Sequence, residues 1–389
     1  MSNAPCRSLS FDDAASRREL EKGIAVRLTF ITGTPRSVRL GSGTYVGIEV
    51  LRRTLEQQGH HVSLVVPRSA STPLGLTEWR LRFNVTLAAR YSPNADLTVG
   101  FDMDGFLIPP YRMGPYMVSI KGVLADELTF EHGVVRRLLA LQAWFEARNV
   151  WRAPLVITTS AYASQRIATH YGVPLSRIRI VPELIHLERW RREFAEVASP
   201  PPAEQVLLTV AHMYPRKGHD TLLRAVALLP PRWRHVRLHL VGIGPEMSRL
   251  KTLAQQLEIA DRVLFLGHIP RAQLVMEYRR CALFCLPSRQ EGFGIVYLEA
   301  MAAGKAVVAC DAAAVPEVVE HGATGLLVRP GDPAALADVL ATLLDNPTTA
   351  ARYGAAARER VARYDAPLVA RRFLQVAEES SAIFTQARR

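Results

Sequence analysis

Short apolar runs alternate with helical segments along most of the chain, and the alternation starts twice. The first series begins with the apolar run Ile24–Ile31 and the helical pattern Thr44–Gln58, and the second begins at Gln205–His212. Strands that are apolar on both faces and separated by helices favour a parallel sheet covered on both sides. The sequence therefore predicts an α/β protein with two doubly wound, Rossmann-like domains that face a central cleft, with ligands at the carboxyl ends of the strands.

A chain of 389 residues is too long for one ordinary core, so we expect two domains and a connection between them. The stretch Glu188–Glu204 is charged and then proline-rich, which is typical of a linker. The stretch Pro333–Arg363 has a strongly helical pattern. The predicted segments are a polar N-terminal tail (1–20), a first domain (21–195), a linker (196–204), a second domain (205–364) and a C-terminal helix that packs back on the first domain (365–389).

The composition narrows the classes of partner. The formal charge of +12 and the pI of about 9.9 favour anionic partners, although a generally cationic, solvated surface gives the same charge. Nucleic-acid binding is not expected, because the basic residues are scattered and not interleaved with stacking aromatic residues. The arginine/tryptophan segments ERWRREF and PPRWRHVRL leave peripheral membrane contact open, beside the alternative of plain solvated surface.

The lack of a recognisable targeting signal and the spacing of the cysteines predict a cytoplasmic protein. The N-terminal stretch lacks the apolar region of a signal peptide, and no apolar run approaches the roughly 18 residues that a membrane-spanning helix needs. The four cysteines, Cys6, Cys281, Cys285 and Cys310, show no disulfide framework, which fits a reducing compartment. Any membrane contact should therefore be peripheral, on the inner face.

The segment Glu291–Lys305, EGFGIVYLEAMAAGK, joins a glycine-containing turn to an apolar helix after an apolar strand. Glycines let a ligand approach backbone N–H groups, and a helix N-terminus attracts anions. Glu291 at the turn and Glu299 two helical turns later could each accept hydrogen bonds from the hydroxyl groups of a sugar. The segment predicts a phosphate site bordered by carboxylates, and the alternative is a tight structural turn with two glutamates spaced by chance.

The wider segment SRQEGFGIVYLEAMAAGKAVVACDAAAVPEVVEHGATGLLVRPGD resembles the donor-site signature of family 4 retaining glycosyltransferases, which have the GT-B fold. VAHMYPRKGHDTLLRA and VGIGPEMSRL resemble that family's phosphate-binding segments, and the likeness covers Val206–Leu344. In the N-terminal half it is weaker and includes SIKGVLADE. The resemblance implies transfer of a hexose from a nucleotide-diphosphate sugar, such as a UDP- or GDP-hexose, to a glycan, lipid or small-molecule acceptor with retention at the anomeric carbon.

The resemblance also implies roles for single residues. Glu299 would hold the donor ribose, and Glu291 the hydroxyls of the transferred sugar. Lys217, helped by Arg216, would pair with the diphosphate and stabilise its charge as the sugar leaves, so no metal and no cofactor are expected; a solvated basic turn is the alternative. Further implied donor contacts are Gly43 on the opposite wall, the amides of Gly292, Phe293 and Gly294, and His268 and Ile269 near the base.

Three departures from the family's pattern concern the same site. His212 stands where the family commonly has arginine, and it is a weaker, pH-dependent cation. Lys121 stands where the first domain usually offers a histidine to the sugar, and we include it with Glu291 and Lys217 among the candidate catalytic residues. The segment Val181–His186, VPELIH, replaces the family's Val-Pro-Asn-Gly-Val-Asp, which concerns the acceptor side.

Carboxylates in the first half are candidate acceptor contacts. Asp102 and Asp104 form an Asp-x-Asp pair after a strand, for which acceptor binding, a structural turn and a divalent metal site are the three interpretations. Asp126 and Glu127 are further acceptor candidates, or part of a solvated edge.

Two other kinds of function remain open. An epimerase or hydrolase on the same fold would consume the donor without an acceptor, and a nucleotide-sugar or glycan-binding protein with impaired catalysis would bind without transfer. A dinucleotide dehydrogenase is not expected. Gly41, Gly43 and Gly47 are not spaced as Gly-x-Gly-x-x-Gly, and no acidic residue ends the following strand.

Overall fold

The computed structural model describes residues 25–35, 43–67, 75–92, 94–197 and 205–386. Within these residues, two six-stranded sheets follow one another along the sequence. The predicted tail at 1–20 and most of the predicted linker at 196–204 lie outside the described residues.

The first sheet is parallel throughout. Its strands are β1 (Arg27–Ile31), β2 (His61–Val65), β3 (Leu97–Phe101), β4 (Tyr116–Ile120), β5 (Leu155–Thr158) and β6 (Ile178–Ile180). The helices of this half are α1 (Gly43–Gln57), α2 (Leu76–Arg90), α3 (Leu124–Glu127), α4 (Gly133–Arg152) and α5 (Ala161–Tyr171). The strand order is β2-β1-β3-β4-β5-β6, so the direction of the crossovers reverses between β1 and β3.

The second sheet is also parallel throughout. A helix, α6 (Leu187–Glu196), precedes its strands, which are β7 (Val206–Val210), β8 (Arg237–Val241), β9 (Val263–Gly267), β10 (Leu283–Leu286), β11 (Val307–Cys310) and β12 (Gly325–Val328). The helices are α7 (His219–Ala227), α8 (Met247–Gln256), α9 (Arg271–Arg280), α10 (Ile295–Ala302), α11 (Val315–Val318), α12 (Pro333–Asp345), α13 (Pro347–Arg360) and α14 (Ala366–Gln386). The order β12-β11-β10-β7-β8-β9 is that of a dinucleotide-binding Rossmann sheet, with its reversal between β7 and β10.

Apolar strands buried on both faces hold each half together. Every residue of β3 and of β4 is buried, as expected when helices cover both faces of a parallel sheet. The last helix, α14, returns to the first sheet, where the ring of Phe373 meets that of Phe30 edge-on with centroids 5.7 Å apart. No helix in the described part of the chain is both long enough and apolar enough to cross a bilayer.

The predicted fold class is confirmed. The stretch Pro333–Arg363 is helical as predicted and is divided between α12 and α13 at Asn346, because a proline at position 347 disfavours helical geometry in the residue before it. The charged part of the predicted linker, Glu188–Glu196, is wrong as a linker, since it lies in α6. Trp190 of that helix packs into a core cluster of the second half.

Candidate active site

The loops that follow β7 and β10 meet at the point where the strand order of the second sheet reverses, which is where parallel sheets form a ligand crevice. Arg289 donates its backbone N–H to the carbonyl of Arg216, at 2.7 Å. A Cβ on Gly218 would lie 2.1 Å from the carbonyl oxygen of Pro287, so only glycine lets the two loops approach this closely. The predicted donor residues of both loops are therefore neighbours in space.

Lys217 and Glu291 form a buried ion pair in this crevice. The Nζ of Lys217 lies 2.6 Å from Oε1 of Glu291, and the hydroxyl of Ser288 donates to the same oxygen at 2.8 Å. Burial acts to raise the pKa of Glu291, but the charges of Lys217 and Arg216 and these two hydrogen bonds leave it below its ordinary value. Burial lowers the pKa of Lys217, and Glu291 opposes that effect. The carboxylate is therefore ionised and partnered.

Arg216 connects this pair to the first half of the chain. Its Nη2 lies 3.2 Å from Oε1 of Glu127, in α3, and its guanidinium lies over the ring of Tyr214. Burial acts to lower the pKa of Arg216, but the charges of Glu127 and Glu291 raise it above its ordinary value. Two cations thus lie side by side in the crevice, each held by one carboxylate.

The turn between β10 and α10 contacts the first half directly. The carbonyl of Gly292 accepts hydrogen bonds from the hydroxyls of Thr159 (3.0 Å) and Ser160 (2.8 Å). A Cβ on Gly292 would lie 2.9 Å from the carbonyl oxygen of Lys121. Gly294 has a φ of 89° at the start of α10, while Phe293 is buried with its ring against that of Tyr364. Gly292 thus lies at a place where the two halves touch.

Glu299 lies apart from the Lys217–Glu291 pair, further along α10. Its carboxylate accepts a hydrogen bond from the hydroxyl of Tyr278 at 2.7 Å, and Arg271 lies 3.9 Å away. Burial raises the pKa of Glu299, and the charge of Arg271 only partly offsets it. The two glutamates of the Glu-x7-Glu pattern therefore have different partners and would contact different parts of a ligand.

The two predicted histidines differ in burial. The Nδ1 of His212 lies 3.0 Å from the carbonyl oxygen of Ile243. Burial lowers the pKa of His212, and the charges of Lys217 and Arg216 lower it further. His212 is therefore neutral near pH 7, so it is a weaker cation than the arginine that the family commonly has there. His268 is exposed, whereas the side chain of Ile269 packs in a core cluster of the second half.

Lys121 forms an ion pair with Glu183, which was not predicted as a site residue. Its Nζ lies 3.0 Å from Oε1 of Glu183, and both side chains are buried. The other oxygen of Glu183, Oε2, is buried and has no hydrogen-bond partner among the described residues. A Cβ on Gly47 of α1 would lie 2.5 Å from that oxygen. The available signal was the segment VPELIH, which places a glutamate where the family has asparagine.

The structure separates the two aspartates of the Asp-x-Asp pair. Asp104 is fully buried and accepts hydrogen bonds from Arg80 (2.7 Å), Asn84 (3.0 Å) and the N–H of Gly33 (2.6 Å). This geometry corresponds to the structural-turn interpretation for Asp104. Asp102 has a φ of 54° and accepts the N–H of Lys121 at 3.0 Å. Burial raises the pKa of Asp102 to about 6, against the charge of Arg80.

The remaining acceptor candidates and Gly43 lie at the edges of the crevice. Asp126 accepts hydrogen bonds from Tyr162 (2.8 Å) and from Gln290 of the second half (3.0 Å). Glu127 holds Arg216, as described above. Gly43 begins α1, and a Cβ there would meet none of the described residues within 4 Å.

A further contact between the halves was not selected from the sequence. The carboxylate of Glu317, in α11, accepts the N–H groups of Ala161 and Tyr162, both at 2.8 Å. These are the free amides at the N-terminus of α5, where a negative charge is favourable. With the bonds at Gly292 and Arg216, this contact holds the crevice in a closed arrangement.

This chain is similar to known proteins over parts of its length. Residues 191–360 match the family model described as "Glycosyl transferases group 1". Over 232 residues the chain is 32% identical to a GDP-mannose-dependent alpha-(1-6)-phosphatidylinositol monomannoside mannosyltransferase of Mycobacterium tuberculosis, covering 55% of this chain and 60% of the relative. Over 221 residues it is 35% identical to a D-inositol 3-phosphate glycosyltransferase of Nocardia farcinica, covering 54% and 49%. The chain thus spans about half to three-fifths of these relatives.

Solved structures share the whole architecture. Sucrose-phosphate synthase from Thermosynechococcus elongatus superposes with a TM-score of 0.77 at 23% identity, covering 92% of this chain and all of that one. Anabaena HepE, solved in complex with UDP and glucose, gives a TM-score of 0.68 at 21% identity, covering 91% and 100%. Two facing Rossmann-like sheets with a crevice between them define the GT-B fold of this chain.

Proposed function

We propose that this protein is a retaining glycosyltransferase that moves a hexose from a nucleotide-diphosphate sugar to an acceptor. The observation that carries the proposal is the buried pair of Lys217 and Glu291, 2.6 Å apart at the sheet's reversal point, with Arg216 beside it. Cations that lie next to a helix N-terminus suit a diphosphate, and a buried carboxylate suits sugar hydroxyls. The match of residues 191–360 to a glycosyltransferase family supports the same conclusion.

In the proposed reaction, the bond between the anomeric carbon and the diphosphate oxygen breaks and its electron pair stays on that oxygen. The acceptor hydroxyl forms the new bond to the anomeric carbon on the same face, and its proton passes to the departing phosphate oxygen. Lys217 and Arg216 would stabilise the phosphate charge as it develops, in a site already shielded from water. Glu291, released from Lys217 when the donor binds, would accept hydrogen bonds from the sugar.

The remaining site residues take roles around this centre. Glu299, further along α10, would hold the ribose, and His212 would contribute a neutral imidazole rather than a charge. Lys121, held by Glu183, would meet the sugar or the acceptor from the first half. No metal ion and no cofactor are required by this proposal, since two cations already face the diphosphate.

We propose the substrates by chemical class. The named relatives in Mycobacterium tuberculosis and Nocardia farcinica act, by their names, on a phosphatidylinositol mannoside with GDP-mannose and on inositol 3-phosphate. These names support a GDP-hexose as donor and a lipid or small-molecule acceptor. The family resemblance adds a UDP-hexose and a carbohydrate acceptor to the proposal.

Thermal melting with a panel of UDP-, GDP- and ADP-sugars tests the proposal, because a ligand that binds the native state at 100 times its Kd stabilises it by about 2.7 kcal/mol. One donor should raise the Tm and be consumed only when an acceptor is present. Glu291→Ala should abolish transfer and spare nucleotide binding, whereas Glu299→Ala should weaken nucleotide binding. Consumption without an acceptor would indicate an epimerase or hydrolase, and binding without transfer a binding protein.

A further inference from the structure

In the two arginine/tryptophan segments considered for membrane contact, both tryptophans contact other residues of the protein. Trp190 is buried, and the guanidinium of Arg271 lies 3.7 Å from the centre of its ring. Trp233 donates its indole N–H to Asp345 at 3.1 Å. Neither tryptophan is among the large apolar side chains that are exposed in the described residues, so a membrane surface has to be sought elsewhere on the chain.

Helix α4 exposes apolar side chains to an unusual degree. Of the fourteen large apolar side chains exposed in the described residues, six lie on this one helix. They are Val134 (69% exposed), Val135 (52%), Leu138 (41%), Leu141 (40%), Trp144 (58%) and Trp151 (53%). An apolar patch of this kind on a folded domain marks an interaction surface more often than plain solvated surface.

The exposed residues of α4 form one stripe with arginines interleaved. Arg137, Leu141, Trp144, Arg148 and Trp151 are spaced by four and three residues in turn. With 100° per residue they fall within an arc of about 80°, along about 21 Å of helix. Trp151 donates its indole N–H to the carbonyl of Tyr171 at 2.7 Å and still keeps 53% of its surface exposed. We call these five residues the α4 stripe.

On α4 three of the positive charges are exposed and the single negative charge is buried. Arg137 and Arg148 of the stripe are exposed, as is the neighbouring Arg136. The one carboxylate of the helix, Glu146, is fully buried against the first half of the chain. The outer face therefore combines cations with indole rings and leucine and carries no negative charge of its own. This combination suits a bilayer interface, where arginines pair with phosphate and tryptophans lie at headgroup level.

Helix α4 is also fixed beside the acceptor wall of the crevice. The carboxylate of Glu146 accepts the N–H of Leu124, at 3.1 Å, where α3 begins. That short helix carries Asp126 and Glu127, and Glu127 holds Arg216. A surface bound to the α4 stripe would therefore lie close to the side of the crevice from which an acceptor enters.

We propose that the α4 stripe docks the protein on a bilayer that contains anionic phospholipid. The apolar side chains enter the headgroup region, and the arginines bind lipid phosphates. The inference rests on α4 alone and does not need the proposed glycosyl transfer. If both hold, the acceptor is a lipid or a lipid-linked glycan that is presented at the membrane surface.

Flotation of the full chain with vesicles tests the proposal. Vesicles of phosphatidylcholine with about one third phosphatidylglycerol should carry the protein at low salt and less of it at high salt, whereas pure phosphatidylcholine should carry little. Substituting Arg137→Gln and Arg148→Gln should weaken binding about fivefold for each arginine. Leu141→Ser with Trp144→Ser should abolish it. A matched control, Leu228→Ser with Arg224→Gln at the end of α7, alters an exposed leucine and arginine elsewhere and should float as wild type.

A second measurement tests the proposal with conservative substitutions, in case the serine variant is less stable. Brominated lipid should quench the fluorescence of the wild-type protein, and the conservative pair Trp144→Phe and Trp151→Phe should remove most of that quenching. Absence of wild-type binding to anionic vesicles, or unchanged flotation and quenching in these variants, would overturn the proposal. So would a change of oligomeric state in the serine variant with vesicle binding intact, because the stripe would then be an interface between copies. Vesicle binding is measured without a sugar donor, so it can be interpreted even if the proposed glycosyl transfer proves wrong.

Discussion

The pair of Lys217 and Glu291 should contribute to stability because it is buried, and a double-mutant cycle measures that contribution. Removing one partner of a buried pair typically costs about 3–5 kcal/mol, because the other charge stays behind unpaired. Here Arg216 remains near Glu291 and the side chain of Lys217 keeps 14% exposure. We therefore expect Lys217→Met and Glu291→Gln to cost about 2–3 kcal/mol each. The double variant should cost less than the sum by about 1–2 kcal/mol.

Thermal melting of the full chain reads out these costs. For domains of this size, about 1 kcal/mol corresponds to about 2–4 °C in Tm, so each single variant should melt roughly 4–12 °C lower than wild type. The chain offers a matched control in Arg232 and Asp345, which are also 2.6 Å apart but 58% and 35% exposed. Arg232→Met should cost about 0–1 kcal/mol. Additive costs in the cycle, or equal costs for the two pairs, would refute the reasoning that burial couples Lys217 to Glu291.

Three further predictions concern the walls of the crevice. Glu317→Ala removes the carboxylate from the N-terminus of α5 and should raise the KM for the donor several-fold, measured by initial rates, because closure is less favourable; an unchanged KM would contradict this. Gly47→Ala should destabilise the protein by about 1–3 kcal/mol in a melting assay, since its Cβ would strike Glu183, while Gly43→Ala should not. The pKa of Asp102 is raised to about 6, so its ionisation opposes folding: its contribution to stability is present at low pH and is lost as pH rises from about 4 to about 6. Asp102→Asn should flatten that part of the profile of Tm against pH. An unchanged profile would contradict the assignment.

Most of the fold could be predicted because its elements are consistent with their local pattern. The helical pattern Thr44–Gln58 corresponds to α1 (Gly43–Gln57), and the apolar strands pair as parallel sheets. Helix α2 was not predicted. Two of its inward positions carry Arg80 and Asn84, which reach the buried Asp104, and Val85 faces solvent. Apolar periodicity cannot reveal a helix whose buried face is partly polar.

The linker prediction failed at α6 for a related reason. ERWRREF is strongly charged, but Trp190 is buried and its neighbours are held by ion pairs, as Glu193 is by Arg271 at 2.7 Å. Charge alone therefore did not distinguish an ordered helix from a connection. The final part of the predicted linker and the domain boundaries stay predictions.

For the candidate site, the sequence could bring together residues that follow neighbouring strands, but not their partners from the other half. Lys217 and Glu291 follow β7 and β10, which are adjacent at the reversal point of a Rossmann sheet, so their contact could be anticipated. Glu183 and Lys121 follow β6 and β4, which are not adjacent in the first sheet, and Glu317 of α11 contacts α5 of the other half. Both contacts join elements that are distant in sequence, and no local pattern encodes them.

Calorimetric titration of the wild-type protein and of Lys217→Met with UDP and with GDP tests the central claim most directly. The claim is that the crevice between the loops after β7 and β10 binds a nucleoside diphosphate through Lys217. One of the two nucleotides should bind the wild type. The variant should bind it about 10–100 times more weakly, because a hydrogen bond to a charged group contributes about 1.5–3 kcal/mol. Failure of the wild type to bind either nucleotide, or equal affinity in the variant, would contradict the claim.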